Sequence, residues 1–212
     1  MSLDRVSQLS PAELSFYQAV LRAFAEQAGP PEPAWLTATA AARGLDAGTI
    51  LRRFSELDLL VLDSAGAALA SMYPFSAVPT RHLVRFADGR HVYALCAIDA
   101  LGIPFMLDQD VAIESADPTT DEPIRVQIQQ GVVSWQPETA VVLTVALEQP
   151  DAIPGAKAES CCPAMNFFAD EATAEAYRRT HCELPGLLLS QEEAVQRGKR
   201  AFGDVLASTA GA

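Results

Sequence analysis

The chain has 212 residues, of which 50% are hydrophobic, and 27 acidic against 15 basic side chains give a formal net charge of −12. This composition suits a packed core rather than a disordered chain, and the negative charge argues against a nucleic-acid or anionic-membrane surface. The N-terminus lacks the features of a signal peptide, and no apolar run is long enough to span a membrane. The sequence therefore predicts a soluble cytoplasmic protein that acts on a small molecule.

The first third of the sequence predicts three helices and a hairpin. Residues Ser10 to Glu13 have the form of a capping box with proline at the first helical position, which predicts a helix to about Gln27. After the helix-breaking GPPEP at 29–33, residues 36–69 indicate a helix, a turn, a second helix and a short hairpin across 63–66. This order is typical of a winged helix-turn-helix, so we expect a winged-helix-like domain over residues 1–78.

Charge does not support a DNA-binding use of this motif. Residues 1–75 contain five arginines, no lysine and eight acidic residues. On the second helix of the motif only Arg52 and Arg53 lie together, whereas a DNA-reading surface needs a larger basic patch. A structural role is favoured, and a winged-helix metal-responsive regulator is kept as an alternative.

From about residue 80 the sequence predicts a mostly antiparallel sheet. Short runs of β-branched or alternating apolar residues are separated by turn signals such as ADGR and DPTTDEP. A short helix is expected over 96–107, and two surface helices are expected near the C-terminus. His82, His91 and His181 show no metal-ligand spacing and are interpreted as surface or strand residues. The fold class is therefore α+β, with an α+β domain with flanking helices over residues 79–212.

A thiol and a carboxylate lie three residues apart in an apolar run. On a helix, Cys96 and Asp99 would share one face about one turn apart. Burial of an aspartate is costly unless the side chain is paired, protonated or used in a reaction. From the residues alone, Asp99 is either functional or a helix-start residue that accepts hydrogen bonds from backbone amides, with Cys96 a core residue.

The other cysteines include an adjacent pair. In a reducing compartment the cysteines at 96, 161, 162 and 182 should be thiols rather than a disulfide framework. Cys161 and Cys162 lack zinc-finger spacing, but two neighbouring soft ligands suit a soft metal. The alternative is that each cysteine is a small buried hydrophobic residue.

Two blocks together resemble the bacterial organomercurial (alkylmercury) lyases. These are the block YALCAIDAL at 93–101, followed by Pro104, and a cysteine ahead of Phe-Phe-Ala at 167–169. The resemblance covers nearly the whole chain and implies cleavage of a carbon–mercury bond by protonation. It also implies a catalytic set of two cysteines and one aspartate, namely Cys96, Asp99 and one member of the adjacent pair.

Spacing within the family assigns the second cysteine. Four residues separate the catalytic cysteine from the Phe-Phe pair in the family, and here residues 163–166 separate Cys162 from Phe167. Cys162 is therefore the assignment, and Cys161 is a neighbour that either assists or only packs. Some members carry a further cysteine, thought to be structural, roughly where this chain has Asp117, so the packing there is expected to differ.

The resemblance implies that Cys96, Cys162 and Asp99 hold the mercury of substrate and product, with Asp99 as the proton shuttle. An apolar pocket would raise the pKa of Asp99, and the residues expected to form it are Leu95, Ile98, Leu101, Phe167 and Phe168. The resemblance further implies no organic cofactor, free cellular thiols as co-reactants and mercuric reductase as a partner. The remaining alternative is a non-enzymatic thiol protein that binds a soft metal.

Overall fold

The computed structural model describes residues 3–66, 68–145, 162–181 and 186–207. The chain opens with the helices α1 (Leu3–Val6), α2 (Pro11–Gln27), α3 (Pro33–Ala41) and α4 (Ala47–Glu56). α2 begins at the predicted capping box, in which Ser10 N donates to Glu13 Oε2 at 2.8 Å and Glu13 N donates to Ser10 Oγ at 3.4 Å. It ends at Gln27, as predicted, because Ala28 adopts the left-handed conformation with φ 55°.

In the part of the chain that the structure describes, eight strands form the main sheet, and all of their pairings are antiparallel. They are β1 (Leu60–Leu62), β2 (Leu69–Met72), β3 (Phe75–Ser76), β4 (His82–Phe86), β5 (His91–Ala94), β6 (Val111–Ala116), β7 (Pro123–Gln129) and β8 (Val132–Gln136). Their order across the sheet is β1-β2-β3-β5-β4-β6-β7-β8. The predicted hairpin across 63–66 and the predicted antiparallel sheet are confirmed.

A smaller sheet lies beside the main one. It contains β9 (Val141–Val145), β10 (Asn166–Phe168) and β11 (Gly186–Leu189) in the order β10-β9-β11, again antiparallel. All five residues of β9 are buried, as expected for a central strand with both faces covered. A single 3₁₀ turn, Cys162–Ala164, leads into β10.

Among the described residues, three further helices pack around the sheets: α5 (Ala97–Leu107), α6 (Glu171–His181) and α7 (Gln191–Phe202). Both α6 and α7 lie on the surface as predicted; α7 buries one face, formed by Ala194, Val195, Gly198 and Phe202, and exposes residues such as Glu192 and Arg200. A Cβ on Gly198 would lie 2.9 Å from the backbone of α5. Glycine thus permits a close helix crossing that the hydrophilic sequence of α7 does not indicate.

One continuous core joins the N-terminal helices to the main sheet. Phe24 of α2 stacks on Phe75 of β3 with ring centroids 5.0 Å apart, and β1 to β3 belong to the same sheet as β4 to β8. The division of the chain near residue 78 stays a prediction. None of the helices that the structure describes has the length and apolar character needed to cross a membrane.

Candidate active site

Cys96 lies where β5 ends and α5 begins. Leu95 N donates to Pro74 O at 3.2 Å, which ties this junction to the segment before β3. Cys96 is the N-cap of α5, with extended backbone, and its Sγ accepts a hydrogen bond from Asp99 N at 3.4 Å. The thiol therefore takes the position in which serine or aspartate usually caps a helix, and this contact holds it directly over the first turn.

Asp99 lies in that first turn and is only 4% exposed. The predicted helix at 96–107 is confirmed, and Cys96 and Asp99 occupy the same face, as their spacing indicated. Nearly every side chain of α5 is buried, so the carboxyl group has little access to water. It is one of the few charged groups within the core of the described residues.

Cys162 lies beside Cys96 and Asp99, although it is distant from them in the sequence. It begins the 3₁₀ turn before β10 and is 4% exposed. Ala97 N donates to Met165 O at 3.1 Å, so the start of α5 is hydrogen-bonded to the segment that follows Cys162. The Cys162 thiol donates to Asp99 Oδ2 over 3.9 Å, and one ligand atom from each of Cys96, Asp99 and Cys162 lies within 4.8 Å of the others.

Burial controls the protonation of this cluster. Burial raises the pKa of Asp99 to about 6, although hydrogen bonds from the two cysteines act in the opposite direction. Burial also raises the pKa of the Cys96 thiol, and the neighbouring Cys162 and Asp99 raise it further. At neutral pH the cluster therefore holds protonated Cys96 beside a carboxylate that can accept a proton.

The donor set suits a soft cation. Thiolates are the ligands that soft metals prefer, and a metal that binds them displaces their protons. The cysteines Cys96 and Cys162 are not joined in a disulfide, and Asp99 is adjacent to both. This arrangement can bind a soft metal between two sulfurs and move a proton within the same buried cluster.

Four of the five apolar residues expected around Asp99 lie in or against the large core cluster that contains both thiols. Ile98, Leu101 and Phe167 belong to the core cluster that contains both thiols, and Leu95 packs against that cluster. Phe168 was expected there too, but it belongs to a separate cluster with Val141, Leu143 and Ala174. Adjacent residues of a strand point to opposite faces, so Phe167 and Phe168 cannot line one pocket.

Two residues near the cluster were not indicated by the sequence. Tyr17 of α2 is fully buried, and its pKa is raised by burial and by the charge of Asp99. Arg197 of α7 is half-buried; burial lowers the pKa of its guanidinium, and an attraction to Cys96 opposes this. Because both lie on distant helices, no local spacing could have linked them to Cys96 and Asp99.

Asp117 follows β6 and is fully buried. Its Oδ1 accepts from Thr119 N at 2.7 Å, and its Oδ2 accepts from Ala169 N at 2.9 Å and Thr173 Oγ1 at 2.7 Å. These hydrogen bonds outweigh the effect of burial and lower the pKa of Asp117. The carboxylate thus links the β6–β7 turn to the end of β10, at the position where different packing was expected.

The two other cysteines, Cys161 and Cys182, lie outside the residues that the structure describes. Of the histidines, His82 is a buried residue of β4, while His91 of β5 and His181 of α6 are exposed, as expected of strand or surface residues.

Two buried thiols beside a carboxylate form a donor set of the kind that binds a soft metal. The family model of alkylmercury lyase, MerB, matches residues 75–203. An alkylmercury lyase of Bacillus cereus is 35% identical over 123 residues, which is 58% of this chain and 53% of that protein. One of Staphylococcus epidermidis is 30% identical over 185 residues, covering 86% of this chain and 79% of that protein.

The chain therefore belongs to the alkylmercury lyase family. It spans about half the length of the Bacillus cereus relative that it matches. A solved structure, the mercury-bound form of MerB2, has the same fold with a TM-score of 0.75, 20% identity and coverage of 96% of this chain and 95% of that one.

Proposed function

We propose that the protein is an organomercurial lyase that converts an alkyl- or aryl-mercury cation and a proton into a hydrocarbon and Hg(II). One observation carries this proposal: Cys96 and Asp99, together with Cys162 from a distant part of the sequence, each place a ligand atom within 4.8 Å of the others in a buried site. These are the residues that family resemblance assigns to catalysis.

Substrate binding would begin at one of the two thiols of the site, Cys96 or Cys162. A thiol sulfur displaces the ligand that accompanies the organomercury cation, and the thiol proton is released. Asp99 is suited to accept a proton at this stage because its pKa of about 6 leaves it mostly ionised at neutral pH. Its Oδ2 already accepts a hydrogen bond from the Cys162 thiol.

Bond cleavage would follow when both sulfurs bind the mercury. Two thiolates donate electron density to the metal and make the bonded carbon more basic. Asp99, now protonated, transfers its proton to that carbon, whose electron pair comes from the carbon–mercury bond. The hydrocarbon leaves, Hg(II) remains on the two thiolates, and one proton in total is released to solvent, because two thiol protons are lost and one is consumed.

Product release would need an external ligand, because a buried dithiolate holds Hg(II) strongly. Free cellular thiols can compete for the metal by ligand exchange, which fits a cytoplasmic location and delivery to mercuric reductase. In this scheme the protein uses no organic cofactor, since the two cysteines and Asp99 supply the metal ligands and the acid.

We also propose that residues 1–78 form a winged-helix-like domain that serves a structural role beside an α+β catalytic domain over residues 79–212. The order of α3, α4 and the β1–β2 hairpin supports this. Arg53 of α4 forms an ion pair with Glu13 at 2.9 Å, which reduces the available positive charge. Gel-shift measurements at physiological salt should therefore detect no specific binding to duplex DNA; tight, salt-dependent binding would support a regulator instead.

The experiment that tests the proposed activity is incubation of the purified protein with phenylmercury and excess thiol, followed by measurement of benzene. We expect catalytic release of benzene from the wild type. Retention of Hg(II) without benzene release would instead support a thiol protein that only binds the metal.

A further inference from the structure

A single hydroxyl group lies among the apolar residues of β9. The strand reads VVLTV, all of it is buried, and Thr144 is 1% exposed. Because adjacent residues of a strand point to opposite faces, Thr144 shares the face of Val142, which belongs to the core cluster that contains Cys96 and Cys162. A buried hydroxyl costs free energy unless it forms a hydrogen bond. Threonine in place of valine, which has the same shape, therefore points to a hydrogen bond on that face.

The acceptor for this hydroxyl is the thioether of Met165. Thr144 Oγ1 donates to Met165 Sδ over 3.2 Å. Met165 lies directly before β10 and packs against the same core cluster. The next residue, Asn166, pairs with Leu143 of β9. The hydrogen bond therefore joins β9 to the point where the 3₁₀ turn of Cys162 enters the small sheet.

The backbone of Met165 contacts both segments that carry the thiols. Its N–H donates to Cys162 O at 3.0 Å, across the 3₁₀ turn. Its carbonyl accepts from Ala97 N at 3.1 Å, and Ala97 directly follows Cys96. A shift of Met165 would therefore move the two sulfurs relative to each other, whereas the contact between Cys96 and Asp99 lies within α5 and would remain.

We propose that Thr144 is a positioning residue that acts through the Met165 thioether to set the distance between the sulfurs of Cys96 and Cys162. β9 pairs with β10 on one side and β11 on the other, so Thr144 is a fixed point. A methionine side chain is flexible, and the hydrogen bond from Thr144 restricts it. The consequence for catalysis rests on the proposed lyase activity, whereas the consequence for thiol geometry does not.

The test compares Thr144→Val with Thr144→Ser. Valine keeps the shape of the side chain and removes the hydroxyl group, while serine keeps the hydroxyl group and removes a methyl group. The first measurement is retention of Hg(II) against dithiothreitol, followed by the ultraviolet absorption of the mercury–thiolate complex. We expect Thr144→Val to lose about fivefold in retention, because one hydrogen bond that preorganises the two ligands is lost, and Thr144→Ser to keep most of it.

The second measurement is kcat and KM for benzene release from phenylmercury. In the proposed mechanism one thiol binds the substrate first, whereas cleavage needs both sulfurs on the metal. Thr144→Val should therefore lose about fivefold in kcat with little change in KM, and Thr144→Ser should recover most of that kcat. Thr180→Val makes the same exchange at an exposed threonine of α6, whose hydroxyl donates to Ala176 O of its own helix, and should match the wild type in both measurements.

Met165→Leu tests the acceptor end of the same hydrogen bond. Leucine has a similar volume but no sulfur to accept from Thr144. We expect this variant to lose retention and kcat to about the same extent as Thr144→Val. The double variant, Thr144→Val with Met165→Leu, should lose no more than the worse single one, because both changes remove one interaction.

Normal retention and turnover in Thr144→Val would overturn the proposal. A larger loss in Thr144→Ser than in Thr144→Val would also reject it, because packing of the methyl group would then matter more than the hydroxyl, and so would losses that multiply in the double variant. If Thr144→Val does not fold, Met165→Leu decides, because it leaves β9 unchanged. A wild type that releases no benzene but holds Hg(II) more tightly than Thr144→Val would reject the lyase and retain the positioning role.

Discussion

The two segments that supply thiols to the site are held in different ways. Cys96 caps α5, and its contact with Asp99 spans three residues of one helix, so local geometry sets their distance. Cys162 lies 63 residues from Asp99, on one 3₁₀ turn whose place depends on hydrogen bonds to α5 and to Asn166. One half of the site is therefore built by secondary structure, and the other half is built by tertiary contacts.

Removal of the Cys162 thiol, which tertiary contacts hold in place, should have the largest effect on activity. Cys162→Ser should lower benzene release by roughly 10³-fold or more, because a hydroxyl is a hard ligand that binds Hg(II) poorly. Cys161→Ser is the matched control and should keep substantial activity, since the spacing to Phe167 assigns Cys162 and not its neighbour. An inactive Cys161→Ser beside an active Cys162→Ser would reverse the assignment.

Removal of the Asp99 carboxyl group from α5 should preserve binding of Hg(II) by the thiols but abolish most turnover. Asp99→Asn keeps the shape of the side chain without its exchangeable proton, so kcat should fall by roughly 10²- to 10⁴-fold while Hg(II) retention by the thiols persists. In the wild type, kcat/KM should fall as the pH drops through about 6, where the free carboxylate becomes protonated. Near-normal benzene release from Asp99→Asn would remove this residue from the mechanism.

Asp117 tests how much the segment after β10 depends on a buried carboxylate, because its Oδ2 accepts hydrogen bonds from Ala169 N and Thr173 Oγ1. In Asp117→Asn, an NH2 group would replace one carboxylate oxygen that now accepts hydrogen bonds. The free energy of unfolding at pH 7 should therefore fall by about 1–3 kcal/mol. The hydrogen bonds lower the pKa of Asp117 in the folded state. Its contribution is therefore present above the unfolded pKa and is lost as the pH falls, so the difference in urea stability should shrink in acid.

Asp99 should change the stability of the folded protein with pH in the direction opposite to Asp117. Its folded pKa of about 6 lies above the unfolded value, so ionisation destabilises the folded protein as the pH rises from about 4 to 6. At pH 7.5 Asp99→Asn should therefore be more stable than the wild type, by on the order of 2 kcal/mol, with the difference vanishing below about pH 4. The exposed Asp204→Asn is the control and should show no such trend; a destabilised Asp99→Asn at pH 7.5 would contradict this account.

The sequence by itself determined the parts of the protein that depend on neighbours in the chain. The capping box at Ser10 specified where α2 begins, alternation specified the strands, and a three-residue spacing paired Cys96 with Asp99. Family spacing also selected Cys162. Each of these signals acts over a few residues, where backbone geometry fixes which side chains meet.

Tertiary structure alone decided which distant residues meet. It buried α7 against α5 through Gly198, turned Phe168 away from the thiols, and brought Asn166 beside the turn of Cys162. It also set the pKa of Asp99, because desolvation depends on everything that packs around the carboxyl group. Packing and hydrogen bonds between separate strands have no spacing in the sequence, so no local pattern could indicate them.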